Sequence, residues 1–152
     1  MLLVRAVFAF LALPGMVAFA IPLWLGRASA APSGAQQLGW LPIAAGTTLL
    51  LWCVREFYVA GRGTLAPWSP PKHLVTTGPY RQCRNPMYVA VTTLLVGWAV
   101  LFWSQSLALY AVCVAAMFYL RVVLFEEPWA TRQFGDEWRA YCARVPRWVR
   151  FG

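Results

Sequence analysis

Two polar clusters in this chain have residue types and spacings that could do chemistry. The first runs from His73-Leu74-Val75 through Gly78-Pro79-Tyr80-Arg81 to Arg84-Asn85-Pro86-Met87-Tyr88. The second runs from Arg121 to the pair Glu126-Glu127. Asn is a favoured helix N-cap and Pro a favoured first helical residue, so Asn85-Pro86 predicts a helix start. Such a start presents free N–H groups and the positive end of a dipole, which suit a carboxylate or another anion. Arg81 and Arg84 add guanidinium donors able to grip that anion with two bonds. Glu126 and Glu127 can accept from an ammonium or from ribose hydroxyls. Tyr80, Tyr88 and Trp129 offer ring faces to a planar base or a sulfonium cation.

These clusters must be held by elements that the rest of the sequence supplies. Hydrophobic residues make up 61% of the 152, charged residues only 12%, against roughly 45–50% and 25% in ordinary globular chains. A disordered chain and a water-soluble domain are both poor fits; an all-α integral membrane protein fits. Apolar spans fall at about 6–25, 38–59, 86–103 and 107–125, each close to the roughly 20 residues that cross a bilayer core. The chain reads as a single domain over residues 1–152, with four transmembrane helices and a C-terminal amphipathic helix. The first span could instead be a signal peptide cut near Ala28-Ser29-Ala30, but its apolar run exceeds the usual 7–15-residue core. Ser104-Gln105-Ser106 reads as a tight turn, making the third and fourth spans an antiparallel hairpin. That hairpin brings Arg84-Asn85-Pro86 beside Glu126-Glu127.

Charge sets the orientation. Residues 87–120 carry no charge, whereas the 60–85 loop and the tail are basic within a net +8. The positive-inside rule puts that loop and the tail in the cytoplasm, with both termini on the same side; in a bacterium this would be the inner membrane. Beyond Pro128, the residues Phe134, Trp138, Tyr141, Cys142 and Val145 share one helical face. That helix lies on the membrane surface or closes over the bundle. Arg55 and Glu56, at the end of the second span, read as a local anchor. The single His and four dispersed Cys make a metal site improbable. A nucleic-acid partner would need a basic face on a soluble fold, which this composition does not offer.

A ligand with a carboxylate, an ammonium, a sulfonium, a ribose and an adenine would use every group in the two clusters, and S-adenosyl-L-methionine is such a ligand. The segment from Gly61 to Tyr88 resembles the signature of the isoprenylcysteine carboxyl methyltransferases and their bacterial relatives, a family akin to the phospholipid methyltransferases. Glu126-Glu127-Pro128, Phe134-Gly135, Trp138, Tyr141 and Val145-Pro146-Arg147 continue the likeness, which covers about 61–147. The resemblance implies a membrane methyltransferase that uses S-adenosyl-L-methionine. It also implies a cofactor pocket at the cytoplasmic end of the hairpin. Its wall would comprise His73, Leu74, Val75, Gly78, Pro79, Tyr80, Arg81, Arg84, Asn85, Pro86, Met87, Tyr88, Glu126 and Glu127. Many eukaryotic members have His where this chain has Asn85.

The acceptor implied is amphipathic and membrane-resident: the carboxylate of a lipidated thiol compound or a lipid head group. Arg121 is a candidate for holding a substrate anion, and His73 or Glu127 for acid–base work. Two other readings stand beside this one. The tail from Phe134 to Cys142 is also close to that of NADPH-dependent sterol-reductase-type proteins. A non-catalytic membrane accessory protein would bind neither nucleotide.

Overall fold

The computed structural model describes residues 11–27, 36–61 and 72–149. These are helical, with no strand among the described residues. A wide-turned helical stretch, Leu11–Ala20, continues into α1, Ile21–Gly26. Then come α2, Gln36–Val59, a short 3₁₀ turn, Gly78–Arg81, α3, Pro86–Leu101, and α4, Gln105–Arg121. A second wide-turned stretch, Val122–Glu126, leads into α5, Glu127–Arg144.

The core lies where α2, α3 and α4 meet the N-terminal helix, around Leu50, Leu94, Leu95 and Leu107. The closest helix approach is between α2 and α3. A Cβ on Gly39 would fall 2.7 Å from Leu101 N, one on Gly46 2.8 Å from Ala90 O, and one on Gly97 2.8 Å from Ile43 N. These contacts run in opposite chain directions, so the two helices are antiparallel. Small residues let the backbones touch.

Pro22 explains how the N-terminal helix is fixed. Proline has no N–H to give to the carbonyls one turn before it. Those carbonyls, Ala18 O and Val17 O, take side-chain donors instead: Trp98 Nε1 at 2.8 Å and Tyr110 Oη at 3.2 Å. A missing backbone bond thus becomes a bond to α3 and another to α4.

Two helices are long and apolar enough to cross a membrane: Gln37–Val59 and the stretch Gln105–Arg144, which is kinked at Gly135. Their outward faces keep Leu41, Leu109, Val112 and Phe125 more than half exposed, which calls for an apolar surrounding. The other two expected spans are shorter. α3 has 16 residues, about 24 Å at 1.5 Å each, and the described part of the first begins at Leu11.

Local boundaries differ from the sequence expectation in two places. The turn between the third and fourth spans is Phe102–Trp103, with Trp103 at φ 47°. Gln105 and Ser106 already belong to α4, capped by Ser104, whose side chain accepts from Leu107 N. Glu126-Glu127-Pro128 does not break the helix either. Pro128 lacks the N–H that would continue the ladder, and the chain widens there, Glu127 N reaching back five residues to Val122 O. The stretch runs on to Arg144, bent at Gly135, whose φ is 51°. Residues 62–71 and the first ten of the chain lie outside the described residues.

Candidate functional site

A cavity of about 510 Å³ opens where the wall segment 74–80, the start of α3, the end of α4 and the first half of α5 converge. Of the residues singled out by sequence, Leu74, Val75, Tyr80, Arg84, Asn85, Met87, Tyr88, Arg121, Glu126 and Glu127 line it. His73 and Arg81 are exposed and off the wall, Pro79 and Pro86 are buried beneath it, and Gly78 turns behind it. The hairpin does bring the first turn of α3 beside Glu126-Glu127.

Neighbouring residues on a helix point about 100° apart, so the two glutamates serve different sides. Glu126 faces the α3–α4 seam. Its Oε1 accepts from Tyr88 Oη and from Arg121 Nε, the latter at 2.7 Å. Arg121 Nε also lies 3.2 Å from Tyr88 Oη, and the Tyr88 ring stacks on Phe118 at 4.3 Å. Glu126 Oε2 has no partner among the described residues.

Glu127 faces the C-terminal segment. Arg147 grips it with two bonds of 2.7 Å, Nε to Oε1 and Nη2 to Oε2. Arg84 Nη1 lies 3.1 Å from Oε1. Two guanidinium groups therefore share one carboxylate, leaving this corner net positive. The Arg84 guanidinium also sits 5.5 Å from the Trp138 ring centroid and donates to Cys142 Sγ. Burial pushes the Cys142 thiol up, against the opposing pull of Arg84; the hydrogen bond to Glu127 pushes the Arg147 guanidinium up.

Asn85 occupies the N-cap position of α3, but its side chain does not cap. Its Nδ2 donates to Arg147 O at 3.1 Å, and Arg84 N donates to Pro146 O at 2.9 Å. The segment 145–147 is thus strapped across the start of α3, while the first N–H groups of that helix stay uncapped. Tyr141 Oη, from α5, donates to Tyr80 O at 2.7 Å. The tail helix closes over the bundle by this bond, and burial raises both phenols, keeping them neutral.

The cavity region also holds residues that the sequence pattern does not mark as site residues: Arg147 and Trp138, which that pattern includes only in the tail motif, and Phe57. No local pattern points to Arg147, which meets Glu127 across 20 residues of chain.

An S-adenosyl-L-methionine-like ligand can be tested against these groups. Arg84 lines the cavity, and its buried Nε has no partner among the described residues, an unused donor of the kind that suits a carboxylate. The uncapped N–H groups of α3 favour the same anion. Glu126 Oε2 is free to accept from an ammonium or a hydroxyl. Phe57, Phe125, Trp129 and Phe134 supply apolar and aromatic wall for a ring system. The volume falls within the roughly 300–1,000 Å³ of small-molecule sites. The residues present fit the ligand.

The described residues are mostly helical, with two helices long and apolar enough to cross a membrane and a cavity at one end of the α3–α4 hairpin. The sequence matches the phospholipid methyltransferase family over residues 35–137, and the chain belongs to that family. It is similar to the nickel-cobalt-cadmium resistance protein NccN of Alcaligenes xylosoxydans xylosoxydans, with 33% identity over 109 residues, covering 72% of this chain and 46% of that protein. It is similar also to the cobalt-zinc-cadmium resistance protein CzcN of Cupriavidus metallidurans, with 32% identity over 111 residues and the same coverage. The chain therefore spans about half the length of these curated relatives. No solved structure matches it.

Proposed function

We propose that this protein is an S-adenosyl-L-methionine-dependent methyltransferase acting on an amphipathic, membrane-resident acceptor. Family membership supports methyl transfer in general. The observation that carries the cofactor is that Arg84, whose buried Nε has no partner among the described residues, lines the same cavity as Glu126. When bound, the cofactor would supply an electrophilic methyl group on a sulfonium.

In this reading Arg84 and the start of α3 hold the cofactor's carboxylate. Glu126 Oε2 accepts from its ammonium or ribose hydroxyls, and the aromatic wall takes the adenine. Glu127, clamped by Arg147, keeps Arg84 in place. Arg121 stands half-exposed at the cavity rim where α4 ends. Its Nη groups are free to hold an anionic head group delivered along the apolar faces. Catalysis is then mostly positioning, with reacting atoms held at about 3–3.5 Å and in line. A carboxylate acceptor, as in isoprenylcysteine-type methylation, needs no general base; a lipid head group is the other acceptor of this class. The cofactor enters from the cytoplasm, with the 60–85 loop and both termini on that side and four helices in the bilayer.

The test is calorimetric titration of the purified protein in lipid nanodiscs with S-adenosylhomocysteine and, separately, NADPH. Binding of the former alone is expected. Binding of NADPH alone would put a reductase in its place, and binding of neither by folded protein would make it a non-catalytic accessory protein.

A further inference from the structure

Glu56 is the buried charged residue among the described residues, only 7% exposed, and no step above uses it. Burying a carboxylate is unfavourable unless hydrogen bonds compensate it. Here Trp52 Nε1 donates at 3.3 Å, Arg55 Nη1 at 3.0 Å and Thr77 Oγ1 at 2.5 Å. The first two donors come from its own helix. The third comes from 21 residues away, in the middle of the wall segment.

The fit around that bond is tight. Gly78 has φ 56°, and a Cβ there would fall 2.9 Å from Glu56 Cγ and 2.9 Å from Trp52 Nε1. Only glycine combines that backbone conformation with that approach. Leu74 and Val75 lie on the cavity wall before this point, and Tyr80 after it. Tyr80 is in turn held from the opposite side by Tyr141 and packs its ring 5.5 Å from Phe57. The backbone carbonyl of Glu56 closes α2, accepting from Ala60 N and Gly61 N, and Gly61 O accepts from Lys72 N. One residue thus ends the helix, and with its carboxylate sets where the wall begins to turn.

We propose that Glu56 is a positioning residue of the cofactor site, fixing the wall segment 74–80 through its bond to Thr77. The role rests on the methyltransferase reading above. It rests on the hydrogen bond to Thr77 rather than on the charge, because the group it meets on the wall is a neutral hydroxyl.

The experiment uses the full chain in lipid nanodiscs, with S-adenosylhomocysteine as the probe. Dissociation constants, melting temperatures and hydrogen exchange over residues 74–82 are measured for wild type, Glu56→Ala, Glu56→Gln and Thr77→Val. Thr77→Val keeps the shape of the side chain and loses only the donor, so it folds even if Glu56→Ala does not. The expected result is at least tenfold weaker binding and faster exchange over 74–82 in Thr77→Val and in folded Glu56→Ala. Glu56→Gln can keep the link by turning its amide, with Oε1 accepting from Trp52 and Arg55 and Nε2 donating to Thr77 Oγ1, and should stay within about threefold of wild type. Wild-type affinity in Thr77→Val overturns the inference while leaving the methyltransferase reading intact. So does a Glu56→Gln affinity as low as that of Glu56→Ala. A folded wild type that does not bind the probe overturns that reading, and this role with it.

Discussion

Arg147 holds Glu127 by both carboxylate oxygens, at 2.7 Å each, across 20 residues of chain. The pair ties the segment after α5 to the first residue of α5. Because Arg84 reaches the same carboxylate at 3.1 Å, the pair also fixes a guanidinium on the cavity wall. A structural clip and a binding group thus share one carboxylate.

Arg147→Ala should therefore affect both. Hydrogen bonds to charged groups contribute about 1.5–3 kcal/mol, so a loss of stability in that range is expected in chemical denaturation. S-adenosylhomocysteine affinity should fall with it, by about tenfold. Arg147→Lys should not restore either, since an ammonium cannot reproduce the planar fork. Full rescue by lysine would show that charge alone matters there.

Tyr88→Phe tests the other glutamate. The variant keeps the stack on Phe118 and removes the hydroxyl that donates to Glu126. Arg121 remains to hold Oε1, so the fold should persist while Glu126 gains freedom. About three- to tenfold weaker S-adenosylhomocysteine binding with an unchanged melting temperature is expected. This corresponds to the net worth of one hydrogen bond. An unchanged affinity would remove Glu126 orientation from the site.

Trp98→Phe examines the architecture apart from the site. It retains a ring but leaves Ala18 O, released by Pro22, without its donor. An unsatisfied buried carbonyl costs about 1–3 kcal/mol, and a drop in unfolding free energy of that size should appear with cofactor-analogue affinity intact. A neutral result would mean that the released carbonyl finds another partner.

Stability should also depend on alkaline pH with a definite sign. Tyr80, Tyr141, Cys83 and Cys142 all have their ionisation raised by burial. In the unfolded chain thiols ionise near 8.5 and phenols near 10, so there the unfolded state binds fewer protons than the folded one. The stabilisation is complete below about pH 8 and is lost as pH rises beyond it. Melting temperatures should be level from pH 6 to 8 and fall by pH 10; a level profile to pH 10 would contradict the burial of these groups.

Much of the frame was legible from local pattern. The span at 38–59 appears as α2, Gln36–Val59, and Asn85-Pro86 does start a helix. The apolar face of the tail is the one turned inward, with Tyr141 and Val145 buried. What escaped was set by distance in space. The sequence pattern ends the fourth span at 125 and starts a separate tail helix beyond Pro128, yet a widened turn carries the helix through and aims the two acids apart. Asn85 reads as a cap, but its side chain makes no cap bond and its Nδ2 donates to Arg147 O instead. Glu56 reads as an anchor beside Arg55, and its bond to Thr77 depends on a loop whose path no periodicity encodes.

The most direct test of methyl transfer uses S-adenosyl-L-methionine carrying a labelled methyl group. Membranes containing wild-type protein or the Arg84→Ala variant are incubated with it, and label is counted in the organic-solvent extract. The expected result is label in the lipid fraction with wild type and at least tenfold less with Arg84→Ala. Wild-type extracts with no more label than membranes lacking the protein would contradict a methyltransferase acting on a membrane-resident acceptor.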